Sequence, residues 1–149
     1  MLVPVALVAM NIAYAASAYP VGVLSDRMNR TTMLVLGIAL LSLADVVLAF
    51  VPSIAGVAIG VLLWGLHMGF TQGLLATLVA DTAPPELRGT AFGMFNLITG
   101  VAMLLASIIA GALWDAFGPE GTFLAGAAFA VLTLIGLLPV RARLHRTEG

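Results

Sequence analysis

The sequence predicts an all-α, polytopic transmembrane bundle of five spans, from an apolar excess, a shortage of charge and arginines sorted to alternate connectors. Of its 149 residues, 62% are hydrophobic and 9% are charged. A water-soluble domain carries about 25% charged residues, so this chain has too little charge to cover a water-facing surface. Six Arg, no Lys and seven Asp plus Glu give a net charge of -1, which excludes an extended basic footprint for nucleic acid. The chain has no Cys, which removes disulfide frameworks, Cys-based zinc sites and iron–sulfur clusters. Two His are too few for a metal centre, and no cofactor is expected.

Crossing about 30 Å of hydrocarbon takes about 20 helical residues at about 1.5 Å each. The first stretch of that length runs from Leu2 to about Leu24. Ala16-Ser17-Ala18 gives it the look of a cleaved signal peptide, but no basic residue precedes it and its apolar character continues to Val23, so it reads as a span. Pro20 is tolerable there and predicts a kink. The second span, Thr31 to Val51, ends at the Val51–Pro52–Ser53 turn, and the third covers Ile54 to Ala80. The fourth, Thr90 to Leu113, and the fifth, Thr122 to Val140, flank a turn at Asp115 to Gly121, leaving 141–149 as a tail of the single region 1–149.

Charge fixes the orientation. Arg27 and Arg30 follow the first span, Arg88 the third, and Arg141, Arg143 and Arg146 the fifth, while the other two turns hold no basic residue. Basic residues stay preferentially in the cytoplasm during insertion, so the C-terminus is expected inside and Met1 outside, in a plasma membrane such as the bacterial inner membrane. Trp114 and Phe117 suit the opposite interface. An odd number of spans beginning outside, with no positive loop before it, looks like the tail of something longer.

Polar residues inside spans hint at the interior of the bundle. Trp64, His67 and Thr71 share a face of the third span within about 60° of arc. Gly65, Gly69 and Gly73 form a ladder for close packing on its other side, with Gln72 at the margin. Two readings are open for His67: a proton-coupling or cargo-binding group, since an unperturbed imidazole titrates near pH 6.5, or a neutral side chain bonded to another helix. Trp64 is equally open between a cavity wall and ordinary packing. On the fourth span Gly93, Asn96, Gly100, Ser107 and Gly111 align, so a partner helix is expected along the small residues, and Asn96 is a candidate for a transport pathway. Asn11 and Tyr14 on the first span are candidates too. Asp45 in the second span is expected to be structural in preference to carrying protons, reaching the outer interface or paired by a helix outside this chain.

The first connector, Gly22-Val23-Leu24-Ser25-Asp26-Arg27-Met28-Asn29-Arg30, combines a small residue for close approach, an acid beside a base for charge-assisted bonding, and an Asn suited to a left-handed turn. Gly-x-x-x-Asp-Arg-x-Asn-Arg resembles the cytoplasmic loop signature of the major facilitator superfamily, with Asn29 where Gly is usual and Thr31 where a second base is usual. Pro84-Pro85-Glu86-Leu87-Arg88-Gly89-Thr90-Ala91-Phe92-Gly93 is similar to that family's loop between helices ten and eleven. On this resemblance the five spans correspond to helices eight to twelve, with Gly65 to Gly93 most like bacterial arabinose-efflux-permease-like or drug-efflux-like members.

The resemblance implies movement of a small molecule, proton-coupled or by uniport, by two helical halves rocking about a central cavity, with proton-coupled export the expected form. It gives Gly22, Asp26, Arg27 and Arg30 the role of a cytoplasmic gate, with Glu86, Arg88 and Gly89 as a second loop, and places the gate's partners largely in an absent N-terminal half. The alternative is a truncated or helper protein that packs against another membrane protein without transporting. No G-x-S-x-G, H-E-x-x-H or phosphate loop is present, so an enzyme is not expected.

Overall fold

The computed structural model describes the backbone of residues 3–25 and 27–147 and the side chains of 4–24 and 27–137. The described residues form α1 (Val3–Ser25), α2 (Arg30–Phe50), α3 (Ile54–Thr82), a single 3-10 turn (Pro85–Leu87) and α4 (Arg88–Thr147). All four α-helices are long and apolar enough to cross a membrane. The fourth and fifth expected spans both lie in α4, which departs from helical geometry at Gly118 (φ 69°, ψ -172°). Only glycine adopts that combination without steric cost, so α4 is two helical arms, 88–117 and 119–147, and the second continues through the segment expected as a tail.

Local chemistry sets the other boundaries. Asn29 caps α2, its side-chain oxygen accepting from the Thr31 N–H at 2.8 Å. Its backbone is extended (φ -62°, ψ 131°), which corrects the left-handed turn expected of it: the residue supplies an acceptor to an unpaired helix donor instead. Ser53 does the same for α3, accepting from the Gly56 N–H at 3.0 Å. Pro85 at the head of the 3-10 turn has no N–H to leave unpaired, and the Leu87 N–H bonds the Pro84 carbonyl at 2.9 Å.

α3 is the hub, packing along both α1 and α2, while α2 also carries α4. Lipid tails are as apolar as leucine, so helices must associate through close contact and hydrogen bonds. Small residues provide that contact. Gly65 lies against Ala13 and the Met10 carbonyl, Gly69 against Ser17, Gly37 against Phe70 and Thr71, and Gly60 against Leu48. The core of larger side chains is a small group, Val21, Met33 and Leu74, at the arginine end. Gly126 in the second arm of α4 lies against the Asp45 carboxylate of α2. The first arm has no buried residue. Gly93, Gly100 and Gly111 face open space there, so the partner helix expected along that row is not among the described elements.

Gly65→Ala places a methyl 2.5 Å from the Met10 carbonyl oxygen and 2.7 Å from the Ala13 Cβ. Overpacking of this kind costs about 1–3 kcal/mol. The expected outcome is a lower melting temperature of the chain in detergent micelles. Gly100→Ala, with nothing in reach, should leave that temperature unchanged or slightly raised.

Candidate functional site

The face of α3 bearing Trp64, His67 and Thr71 is turned toward α2. Trp64 Nε1 donates to Asp45 Oδ1 at 3.1 Å. The His67 Nδ1 lies 2.8 Å from the Gly37 carbonyl oxygen; a carbonyl only accepts, so Nδ1 carries the proton and Nε2 is the nitrogen left to exchange one. Thr71 Oγ1 donates to the His67 carbonyl at 2.9 Å, and its methyl fills the space a side chain at Gly37 would need. Thr71 is buried, His67 half-buried, and Trp64 38% exposed. The three residues therefore form a polar seam between helices.

Asp45 is 4% exposed and, among the described residues, has no cationic partner. One oxygen takes the Trp64 indole, and the other faces Gly126. The expectation that it reaches an interface or a helix outside this chain is corrected by these contacts: its donor is on α3 and its cover is the second arm of α4. The sequence left open a His67 bonded to another helix, but identified neither Gly37 as its partner nor Asp45 as that of Trp64, because the apolar character of these helices runs around their whole circumference and marks no neighbour.

The remaining pathway candidates divide. Tyr14 is half-buried and lines a cleft of about 220 Å³ between α1 and α3, whose walls include Gly69, Gly73 and Thr77 and whose α2 side is Met33 and Arg30. Asn11 is exposed, its amide donating to the Leu7 carbonyl of its own helix at 2.8 Å. Gln72 and Asn96 are exposed as well, Asn96 on the first arm of α4.

At the end of the cleft, Arg30 pairs with Asp81 of α3 at 2.5 Å, both about half exposed. For Arg30, then, a partner lies within the chain, where the gate's partners were expected largely in an absent half. The signal was available in the topology, which brings the start of α2 and the end of α3 to the same end of the bundle. Gly22 lines the same cleft and Arg27 is exposed, while Asp26 lies outside the described residues. Glu86, Arg88 and Gly89 are exposed around the 3-10 turn and the start of α4. Among the described residues no group of three His, Asp or Glu side chains is arranged to hold a metal.

Comparison with known proteins adds an independent line. The family model for the Major Facilitator Superfamily matches residues 2–149. The chain is 33% identical over 138 residues to an uncharacterized MFS-type transporter of Methanocaldococcus jannaschii, covering 92% of this chain and 34% of that protein. It is 30% identical over 119 residues to the multidrug efflux pump Tap of Mycolicibacterium fortuitum, covering 80% of this chain and 29% of the pump. A Bacillus subtilis protein provisionally named niacin/nicotinamide transporter NiaP is 29% identical over 131 residues, with 87% of this chain and 33% of that protein covered. The chain thus spans about a third of the length of these relatives. No solved structure matches it.

Removing the indole donor leaves a buried carboxylate without a partner, at a cost of about 1–3 kcal/mol. Trp64→Phe should therefore lower the melting temperature, followed by circular dichroism in micelles. The double variant Trp64→Phe/Asp45→Ala should recover part of the loss, since the unpaired carboxylate is gone.

Proposed function

The chain belongs to the Major Facilitator Superfamily, and from that membership we propose that it is the C-terminal portion of a secondary transporter that exports small molecules in exchange for protons. The family is one of transporters, and the chain is a multi-pass membrane protein. The observation that carries the finer reading is the match along the whole chain together with an efflux pump among its relatives.

In this reading the arginine end faces the cytoplasm of a plasma membrane, following the charge rule. The rest of the transporter supplies the opposite wall of the cavity, toward which Asn11, Tyr14, Gln72 and Asn96 contribute polar groups. His67 is the proton-exchanging group. Its Nδ1 stays on the Gly37 carbonyl while Nε2 binds and releases the proton, so the ring titrates without losing its anchor. Trp64 and Thr71 hold the surroundings of the ring through the α2 seam. The Arg30–Asp81 pair keeps the cytoplasmic ends of α2 and α3 together as the halves rock.

The test is drug-dependent proton flux in proteoliposomes holding the full-length product of the gene that encodes this chain, with an imposed pH gradient. Flux that follows the gradient is the expected result; a folded protein that moves no member of a broad substrate panel at any gradient overturns it. His67→Ala should remove the dependence on the gradient while leaving drug binding intact, and an unchanged pH profile takes His67 out of the mechanism. Arg30→Gln should alter stability by no more than about 1 kcal/mol, because the pair is exposed, yet slow turnover. Full turnover in that variant would reduce the pair to a topological marker.

A further inference from the structure

α1 and α3 run in the same direction, because α2 reverses the chain between them. Their contacts advance in steps of four residues, Gly65 against Ala13 and then Gly69 against Ser17. The next step of that row pairs Gly73 with Val21, and there Gly73 is left uncovered although Val21 still reaches α3 through Leu74. A side-chain carbon on Gly73 would meet no atom within 4 Å, and the cleft of about 220 Å³ opens between the helices. Val21 packs with Met33 and Leu74 instead.

The residue before Val21 is Pro20, inside the helix. Proline has no N–H to bond the carbonyl four residues earlier, which here belongs to Ala16, so α1 can bend at this point at little cost. The neighbouring elements are braced: Arg30 and Asp81 tie the start of α2 to the end of α3. We propose that the segment of α1 beyond Pro20 has two positions, the open one described and a closed one in which Val21 seats on Gly73 and completes the row. The absence of a side chain at Gly73 does nothing for packing in the open position, whereas in the closed one it is what lets the two backbones meet.

The chain contains no Cys, so the variant Val21→Cys/Gly73→Cys carries a unique thiol pair. A disulfide requires the two Cα atoms to come within about 7 Å. The protein is reconstituted in lipid nanodiscs, checked for helicity and a cooperative melt, and oxidised with copper phenanthroline. Disulfide in most of the molecules is the expected result. Where this variant fails the folding check, Ala18→Cys/Gly73→Cys reads the same closure from one turn away. A folded protein whose thiols both react with maleimide yet form no disulfide overturns the proposal. The measurement does not involve transport, so its failure is separate from failure of the export reading.

Discussion

Everything in this bundle depends on how closely α3 can approach its neighbours. In hydrocarbon there is no gain from hiding leucine from lipid, so attraction between helices comes from atoms in contact and from polar groups that find each other. Gly65 and Gly69 let α1 lie against the α3 backbone, and Gly37 lets α2 do the same. Only at that separation can a histidine reach a backbone carbonyl on the next helix, as His67 reaches Gly37. The polar seam is therefore a product of the glycines, and a side chain at any of the three would act on the hydrogen bonds as well as on the packing.

The same rule explains the contrast between the two arms of α4. The second arm brings Gly126, Ala127 and Ala130 to the bundle, and the two alanines are buried. The first arm carries an equally suitable row at Gly93, Gly100 and Gly111, with nothing against it. Its apolar side chains, among them Leu97, Ile98, Val101 and Leu104, are more than half exposed. A stretch of 30 residues reaches about 45 Å, ample for a crossing, so this arm satisfies the bilayer in length and apolarity while its small-residue row contacts no described element.

Much of this was legible in the sequence, because length and charge sorting are strong signals in membrane chains. The helical periodicity that grouped Trp64, His67 and Thr71 was also sound: the three do share one side of α3 and meet the same neighbour. What periodicity could not supply was the identity of that neighbour. In a soluble helix the apolar stripe points to the core, but here apolar residues face lipid as well as protein. Asn29 shows a second limit. Its residue type suits both a left-handed turn and a helix cap, and the start of α2 immediately after it decided between them. Arg30–Asp81 shows a third: the topology puts both residues at one end of the bundle, but which charges meet there follows only from placing the helix ends in space.

The placement of the Asp45 carboxylate bears on how the chain is made. Trp64 lies on α3 and Gly126 on the second arm of α4, so during synthesis the indole emerges from the ribosome before the glycine that covers the opposite oxygen. A nascent chain threaded only as far as α3 already holds the donor its acid needs. α1, α2 and α3 can thus settle together in the membrane before both arms of α4 have emerged, and the second arm docks onto a surface that is ready for it.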